Sequence, residues 1–453
     1  MMTPVREFLY FLVILVVFGI LLFFRGKSSH KTAEMPAAEI VVDSVKGNEP
    51  VAEPIGQAPI IAETARSPLC KETVLSHPTP IHFASNDSVR FRYLEEKLRQ
   101  VHQGGLPVRI IYFGDSQIEN DRITSTLRNK LQNRYGGSGP GFIPLDQYYN
   151  TAHKLIMEVS KSWVVKAFRD TSFINQSLLF KNAILTANDP QGWFRIRRIK
   201  SHSALPDYQL TKLYYWATDS CQITAKQGRD TVYSGYLLPE NKVSTLDFQF
   251  NQTPGDIRFD FRAKDTLNIC GLSLESKSGV MVDNVSLRGQ AYPLFEWSDK
   301  AKITQMLDQV NVGLFILHYG VNLVPYASKD YHYFQLHFSR QIAFLKQVRP
   351  EVPILIVGVS DMAEREDGHF VSFPNIPEIK AIEKGIAIEN HVAFWDLDAF
   401  MGGAGSMVNW VDAKPPLART DYTHFTKEGA ALVGNELGKL ILNEMKNESL
   451  ARP

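Results

Sequence analysis

The alternation of apolar and polar positions changes character twice along this chain of 453 residues. Residues 93–101 carry apolar side chains at helical spacing, and the apolar run at 108–113 predicts a buried strand. Apolar residues at helix-like intervals follow and stop at the glycine-rich run 136–141. This part predicts one strand–helix unit of a parallel sheet. The glycine run is either a loop that borders a ligand site or a plain turn.

Short β-rich runs replace that pattern between about residues 148 and 285. Turn residues separate them at even spacing, which is typical of a sandwich or jelly roll rather than of strand–helix units. The predicted strands are 193–199, 212–217, 231–237, 243–250, 256–261, 267–275 and 280–287.

Helical and strand patterns alternate again in the last third of the chain, so an α/β domain is split by a β insertion. We expect the α/β parts to cover residues 81–147 and 286–447, and the insertion to cover 148–285. The predicted elements are a helix at 300–310, a strand at 312–318, a helix at 331–348, a strand at 353–359, an irregular stretch at 363–378 followed by a helix, a strand at 392–397 and a helix at 427–445.

The N-terminal segment contains an unbroken run of apolar residues and glycine at positions 8–24. A helix needs about 20 such residues to cross a bilayer, so this run is just long enough. Arg25-Gly26-Lys27 follows it, without a small-x-small cleavage site. Residues 1–25 therefore predict an uncleaved transmembrane anchor rather than a removed signal peptide. Residues 26–80, rich in Ala, Pro, Glu and Ser, predict a flexible linker.

Charge and cysteine content exclude some classes of protein. The formal net charge is +1, which gives no electrostatic reason to expect nucleic acid as a partner. The cysteines are Cys70, Cys221 and Cys270, and their spacing does not match a zinc site. Cys221 and Cys270 either pair with each other or stay free. We expect no metal and no cofactor.

Two short motifs contain the parts of a serine esterase. Gly114-Asp115-Ser116 directly follows the strand at 108–113, so Ser116 is expected at the carboxyl end of a strand and the start of a helix, where the helix dipole favours negative charge. Near the other end of the chain, Asp421 precedes His424 by three residues. That spacing lets Asp421 orient the imidazole while His424 takes the serine proton.

With these motifs in place, the chain resembles the SGNH or GDSL hydrolase superfamily over its α/β parts. Four blocks define that family, and four candidates occur here in the right order: Gly114-Asp115-Ser116, Leu287-Arg288-Gly289-Gln290, His318-Tyr319-Gly320-Val321-Asn322, and Asp421-Tyr422-Thr423-His424. The resemblance implies a three-layer α/β/α, flavodoxin-like fold with a parallel sheet. It also implies an oxyanion hole made of the Ser116 amide, the Gly289 amide and the Asn322 side chain.

Two departures from the family pattern stand out. Gln117 occupies a position where the family often has Leu, and we interpret it as mostly a packing position. The gap from Ser116 to Gly289 is far longer than one strand–helix unit needs, and an inserted β-sandwich domain accounts for it. Split domains of this kind resemble peptidoglycan-type O-acetylesterases of the cell envelope, in which a carbohydrate-binding-like jelly roll interrupts the hydrolase.

The resemblance implies a serine esterase that removes O-acetyl groups from a cell-envelope or secreted polysaccharide. One alternative is an O-acetyltransferase that uses the same triad, beside a membrane acyltransferase that carries the acyl group. Another is a catalytically inert glycan-binding envelope protein. The basic residues Arg25, Lys27 and Lys31 would keep the rest of the chain in the cytoplasm by the positive-inside rule. The expected substrate instead favours a membrane-anchored protein whose catalytic domain is extracytoplasmic, in the periplasm.

Other conspicuous side chains have simpler interpretations. Strand alternation makes most aromatic residues of the insertion core residues, although each is also a candidate for stacking on a sugar ring. Histidines outside the Asp-x-x-His block are expected at strand ends or helix surfaces, and Asp361 and Asp396 are expected to be structural. The residues concerned are Trp193, Tyr214, Tyr215, Trp216, Tyr236, His318, His332 and His337.

Overall fold

A computed structural model of the chain describes residues 76–84, 88–101, 106–147, 155–167, 174–199, 207–328 and 330–450. The predicted anchor at 1–25 and the linker up to residue 75 lie outside these ranges. Within the described ranges, no helix is both long and apolar enough to cross a membrane.

The described residues form strands and helices in the alternation that the sequence predicts for two kinds of domain. The strands are β1 (Ile81–His82), β2 (Val108–Gly114), β3 (Gly141–Ile143), β4 (Leu155–Val159), β5 (Val164–Ala167), β6 (Lys181–Leu185), β7 (Gln191–Arg198), β8 (Leu210–Ala217), β9 (Cys221–Gln227), β10 (Asp230–Leu237), β11 (Glu240–Gln249), β12 (Asp256–Ala263), β13 (Leu267–Glu275), β14 (Val280–Ser286), β15 (Asn311–His318), β16 (Ile354–Val357), β17 (Ala363–Glu366), β18 (His369–Ser372) and β19 (Ala393–Trp395). The helices are α1 (Ser88–Val101), α2 (Thr124–Tyr135), α3 (Lys300–Asp308), α4 (His332–Val348), α5 (Ile376–Glu389), α6 (Leu397–Met401), α7 (Ser406–Asp412) and α8 (Lys427–Leu450).

A six-stranded sheet forms the centre of the α/β part, in the order β1-β19-β16-β15-β2-β14. Five of its strands are parallel, and β1 adds an antiparallel edge. Numbered along the chain, the parallel strands run 2-1-3-4-5 across the sheet, which is the flavodoxin-like order of doubly wound folds. The prediction of a mixed α/β fold with a parallel sheet is confirmed.

Alternate side chains of the central strands belong to two different cores, one on each face of the sheet, and helices cover both faces. In β2, Ile110 and Tyr112 belong to the core beneath α1, α2 and α8. Ile111 and Phe113 belong to the core beneath α3, α4 and α5. The strand is buried along its whole length because both faces are covered.

Antiparallel strands form two further sheets between α2 and β14. One has the order β10-β9-β12-β7-β4, and the other has the order β11-β8-β13-β6-β5, with β3 also paired to β13. Apolar residues from both sheets share one core. Side chains from the second sheet, such as Tyr214 and Cys270, also enter the core that contains Phe113 and Phe295. The β-rich part therefore packs directly on the α/β part.

Two predictions about this region need correction. Residues 280–287 were grouped with the β insertion, but β14 pairs in parallel with β2 in the central sheet. Its near-continuous apolar burial on both faces is what a strand of a parallel sheet shows. The glycine run 136–141 does not border the site: the Gly136 carbonyl accepts from the Val280 amide, at the opposite end of β14. The plain-turn interpretation fits.

Cys221 and Cys270 are both free and buried.

The stretch 363–378 was predicted to be irregular, yet β17 and β18 form a hairpin there. Asp367 and Gly368 lie at its tip with positive φ, as a tight hairpin turn requires. The helices α6 and α7 were also missed, because each is too short to show a helical period.

A buried arginine links the central sheet to the β-rich part. The Arg109 guanidinium, on β2, donates to the carboxylates of Asp283 and Glu275 and to the Ser273 hydroxyl. Asp283 also accepts from the Phe142 amide at 2.8 Å, and a Cβ on Gly141 would meet its carboxylate at 2.1 Å. Strands β2, β13 and β14 therefore converge on one buried cation.

We predict that Arg109→Met destabilises the protein by about 3–5 kcal/mol, because it leaves two buried carboxylates without their cation. Urea denaturation at neutral pH measures this change. Arg195→Met is the matched control: Arg195 pairs with Asp256 and Glu158 at the surface, with 39% of its side chain exposed, and removal of such a pair costs about 1 kcal/mol or less. Equal losses from the two substitutions would contradict the prediction.

Candidate active site

Ser116 lies in the turn that follows β2, at the carboxyl edge of the central sheet. The strand order reverses between β14 and β15 on either side of β2, and open α/β sheets bind ligands at that switch point. The Ser116 carbonyl accepts from the Glu119 amide and from the Arg122 side chain. These two hydrogen bonds fix the turn that presents the serine hydroxyl.

The start of a helix does not follow the serine as closely as the sequence predicts. A 3₁₀ turn at Glu119–Asp121 intervenes, in which Asn120 and Asp121 have positive φ, and α2 begins only at Thr124. Since the helix dipole acts within the first turn, α2 is too distant along the chain to stabilise charge at Ser116 in the expected way.

The second motif comes to the serine from the other end of the chain. His424 Nε2 lies 2.8 Å from Ser116 Oγ, and His424 Nδ1 lies 3.0 Å from Asp421 Oδ2. The other carboxylate oxygen of Asp421 accepts from the backbone amides of Thr423 and His424, at 3.0 and 2.9 Å. The structure thus brings together all three predicted triad residues, in the order serine, histidine, aspartate.

Hydrogen bonding keeps Asp421 ionised. Burial alone raises the pKa of this carboxyl, but the side chain and amide of His424 and the amide of Thr423 lower it overall to about 2. A carboxylate only accepts hydrogen bonds, so Nδ1 of His424 carries a proton and donates it to Asp421. In the neutral imidazole, Nε2 is then the acceptor, which is the state needed to take a proton from Ser116.

Gln117 connects the two motifs and is more than the packing residue that the sequence analysis assumed. Its Nε2 donates to the Thr423 carbonyl at 2.7 Å and contacts the Ser360 hydroxyl at 3.2 Å. The Gln117 side chain is fully buried. It therefore fixes the loop of His424 against the turn of Ser116, which a leucine in the same place would not do.

The hairpin of β17 and β18 supports the same loop from outside. Phe370 stacks on Tyr422 with 3.6 Å between ring centroids, and the Ala363 amide donates to the Tyr422 carbonyl. Tyr422 has a positive φ of 52°, so this loop needs outside contacts to hold its shape. The Asp367-Gly368 pair was the sequence signal for this hairpin, since Asp-Gly between strand-forming residues is a strong indicator of a tight turn.

Asn322 lies in a 3₁₀ turn, Val321–Leu323, that follows β15. Its Nδ2 donates to Asp115 Oδ2 at 3.1 Å and to the Gln290 carbonyl at 2.9 Å. A side-chain amide has two N–H groups, and both are engaged here. An oxyanion would therefore share one of these donors. Gly320 precedes the turn with φ of 104°, where a Cβ would meet Glu383 Oε1 at 2.3 Å.

Asp115 joins the serine turn to Asn322. Its second oxygen, Oδ1, accepts from the Gln117 amide at 2.9 Å. Complete burial raises the pKa of this carboxyl to about 7, although the Gln117 amide, the Arg122 charge and the Asn322 amide oppose the shift. With both oxygens occupied, Asp115 orients the amide of Asn322 and is not placed to exchange a proton with Ser116.

Gly289 lies in the loop after β14, on the same sheet edge as Ser116. Leu287, two residues earlier, donates its amide to the Gly114 carbonyl at 2.7 Å, which ties this loop to the end of β2. The amides of Ser116 and Gly289 make no hydrogen bond to any described residue. They are the two donors that the free site leaves open.

The other carboxylates near the strand ends have structural partners. Asp361 accepts from the Met407 amide and the Ser372 hydroxyl, at 2.8 and 2.9 Å. Asp396 caps α6 by accepting from the Ala399 amide at 2.8 Å. His318 is buried against the Tyr112 hydroxyl, and burial lowers its pKa to about 3, so it stays neutral. The structural interpretation of these residues is confirmed.

The aromatic residues of the β-rich part differ in burial, and both faces of β8 are covered, because Tyr214 and Tyr215 enter two different cores. Tyr214 and Tyr215 are buried in the core, whereas Tyr236 is 59% exposed. Trp193 and Trp216 are partly buried beneath the side chains of Arg258 and Lys302. In the part of the chain that the structure describes, no cluster of three His, Cys, Asp or Glu residues has the geometry to hold a metal ion.

Comparison with known proteins identifies the fold. The chain aligns with the solved structure of a peptidoglycan O-acetylesterase at a TM-score of 0.63 and 20% identity, over 81% of this chain and 99% of that one. The two proteins share a fold. The expectation of a fold like that of peptidoglycan-type O-acetylesterases is confirmed.

Other likenesses are weaker. A family two carbohydrate esterase from Cellvibrio japonicus aligns at a TM-score of 0.24 and 10% identity, over 64% of this chain and 99% of that one. An acetyl xylan esterase aligns at 0.26 and 16% identity, over 35% of this chain and 80% of that one. Scores this low do not establish a shared fold. No protein-family model and no curated protein matches the chain.

We predict that Gln117→Leu lowers kcat for ester hydrolysis about tenfold and leaves KM nearly unchanged. The substitution leaves the Thr423 carbonyl without its donor and loosens His424, at about 1–2 kcal/mol in the transition state. Steady-state kinetics with 4-nitrophenyl acetate measures the effect.

Gln132→Leu is the control for that substitution. Gln132 likewise donates its side-chain amide to a backbone carbonyl, that of Val280 at 3.0 Å, but at the opposite edge of the sheet. It should lose some thermal stability and keep its kcat. A Gln117→Leu enzyme with wild-type kcat would show that the glutamine only packs.

Proposed function

We propose that this chain is a serine esterase that removes O-acetyl groups from a cell-envelope or secreted polysaccharide. The observation that carries the proposal is the hydrogen-bonded series Ser116, His424, Asp421, with contacts of 2.8 and 3.0 Å. A serine hydroxyl is activated when it is hydrogen-bonded to a base that a carboxylate in turn orients.

Acylation begins when Ser116 Oγ attacks the carbonyl carbon of the acetyl ester and His424 Nε2 takes the hydroxyl proton. The imidazolium that forms is stabilised by Asp421, which is already ionised. Because the backbone amides of Thr423 and His424 also bind this carboxylate, it is held in place to accept the hydrogen bond from Nδ1 of His424. Asp421 orients and stabilises, and it does not itself accept a proton.

Negative charge then develops on the carbonyl oxygen of the ester. The open amides of Ser116 and Gly289 are the donors we assign to it, with Asn322 as the third. Both N–H groups of Asn322 already donate, to Asp115 and to the Gln290 carbonyl, so the oxyanion shares one of them while these partners hold the amide in place. Preorganised donors of this kind are each worth about 3–4 kcal/mol in the transition state.

The tetrahedral intermediate collapses when the bond between the acetyl carbon and the sugar oxygen breaks. His424 gives its proton to that oxygen, so the sugar leaves as an alcohol and acetyl-serine remains. A water molecule attacks the acetyl-serine while His424 takes one of its protons. Collapse of the second intermediate releases acetate and returns the proton to Ser116 Oγ.

Exposure of the triad favours water as the acyl acceptor. The side chain of Asp421 is 46% exposed and that of His424 is 28% exposed, so bulk water reaches the base from this side. An O-acetyltransferase must keep water away from the acyl-serine until the acceptor sugar arrives. Although Ser116 itself is buried, the exposure of His424 leads us to favour hydrolysis over transfer.

The polysaccharide substrate is supported by the likeness to the peptidoglycan O-acetylesterase, which aligns over 99% of its own length.

We also propose that the catalytic domain acts outside the cytoplasm, held by the apolar segment at 8–24. An alkaline phosphatase fused after residue 30 should be active in cells, since this reporter needs an oxidising compartment. An inactive fusion protein would contradict the proposal.

The test of function is acetate release from 4-nitrophenyl acetate and from O-acetylated peptidoglycan by the full chain, alongside Ser116→Ala. We expect the substitution to reduce kcat by about 10⁶-fold, to background, as loss of the nucleophile does in other triads. Activity that survives Ser116→Ala would overturn the catalytic assignment.

The same assay with added deacetylated oligosaccharide separates the alternatives. An esterase releases the same acetate with or without acceptor. Acetyl groups that appear on the acceptor would identify a transferase. A wild-type chain that binds the glycan and releases no acetate from either substrate would indicate the inert glycan-binding protein.

A further inference from the structure

An aromatic cluster of Tyr292, Trp297, Tyr333 and His337 lies on the surface of the α/β part. Trp297 is 49% exposed and Tyr333 is 64% exposed. Full burial of such rings would stabilise the fold by about 1.5–3 kcal/mol each, so two large and exposed aromatic rings packed against one histidine are unusual. The mechanism described above uses none of them.

The rings form an ordered stack. Tyr292 and Trp297 lie nearly parallel to His337, at 11° and 12°, with ring centroids 5.6 and 6.1 Å from it. Tyr333 lies closer, at 4.1 Å and 44°. Tyr333 and His337 are one helical turn apart on α4, so they share a face. The surface is therefore fixed before any ligand arrives.

Polar groups hold the stack and remain near its surface. Glu296 Oε1 lies 2.5 Å from His337 Nδ1, and Glu296 Oε2 lies 3.9 Å from the Arg340 guanidinium, whose side chain is 54% exposed. Tyr292 and Tyr333 approach each other closely: burial and a hydrogen bond between their side chains raise the pKa of Tyr292. The aromatic faces thus have hydrogen-bond donors and acceptors beside them.

The aromatic cluster is continuous with the candidate active site along two segments. Tyr292 follows Gly289 by three residues, a length of chain that spans at most about 10 Å. The helix that carries Tyr333 and His337 follows the turn of Asn322. The hydrogen bond from Asn322 to the Gln290 carbonyl ties these two segments together at the oxyanion donors.

We propose that this aromatic cluster is a subsite that binds a sugar ring of the polysaccharide next to the acylated residue. A pyranose ring presents C–H groups on one face, which pack on the electron-rich face of an aromatic ring, while its hydroxyls reach polar groups at the ring edge. Glu296 accepts from such hydroxyls and Arg340 donates to them. The inference rests on the proposed esterase function and specifies where that enzyme holds its polymer.

The test compares a small ester with a polymer. Kinetics of wild type, Trp297→Ala and Tyr333→Ala are measured on 4-nitrophenyl acetate and on soluble O-acetylated peptidoglycan oligomers. We expect the variant that carries both substitutions to show a KM for the oligomers raised about tenfold. Its kcat and KM for 4-nitrophenyl acetate should stay unchanged. Trp297→Phe and Tyr333→Phe keep an aromatic face and should retain most of the oligomer affinity.

Leu106→Ala is the matched control. Leu106 is 62% exposed and precedes β2, at the edge of the sheet opposite Ser116, so its removal should change neither substrate's kinetics. An unchanged oligomer KM in the Trp297 and Tyr333 variants would overturn the subsite, and so would equal losses on both substrates.

A binding measurement keeps the inference separate from catalysis. Isothermal titration of deacetylated peptidoglycan oligomers into Ser116→Ala, with and without Trp297→Ala, should show weaker binding in the double variant. No binding to Ser116→Ala, or equal binding to both proteins, would contradict the subsite. Absence of ester hydrolysis in the wild type would instead contradict the proposed function.

Discussion

The hydrogen bond between Ser116 and His424 is the contact on which the site depends, and it joins residues 308 positions apart in the chain. The strand order 2-1-3-4-5 makes it possible. That order puts the end of β2 at the switch point of the sheet, and the last loop before α8 returns to the same edge. The β-rich part lies between them in sequence and packs on the α/β part through the core that contains Phe113 and Phe295. The side chains of His424 and Asp421 nevertheless remain 28% and 46% exposed.

Residues outside the triad maintain its geometry. Gln117 fixes the loop of His424 from inside, and the Phe370 ring supports Tyr422 of that loop from outside. On the other side of the serine, Asp115 and the Gln290 carbonyl hold the side chain of Asn322. A catalytic site needs such support, because a small displacement of the base from the nucleophile lowers the rate strongly.

The sequence predicted those features that depend on local pattern. Strong apolar periodicity located β2, β15 and α4, and the spacing of Asp421 and His424 predicted the hydrogen bond between these two side chains. The parallel pairing of β14 was missed, because a buried apolar strand reads the same in a sandwich and in a parallel sheet. The role of Gln117 was missed for a different reason: its partner, the Thr423 carbonyl, is close in space and far away in sequence. The aromatic cluster could not be predicted from the sequence either, because it brings a loop after β14 against a face of α4.

The most direct measurement is intact-protein and peptide mass spectrometry of the chain quenched during turnover of 4-nitrophenyl acetate. The account predicts one acetyl group on the protein, located on the peptide that contains Ser116, and its disappearance once the ester is consumed. Turnover without any protein-bound acetyl, or an acetyl group on another residue under the same quench, would contradict an acyl-serine mechanism at this site.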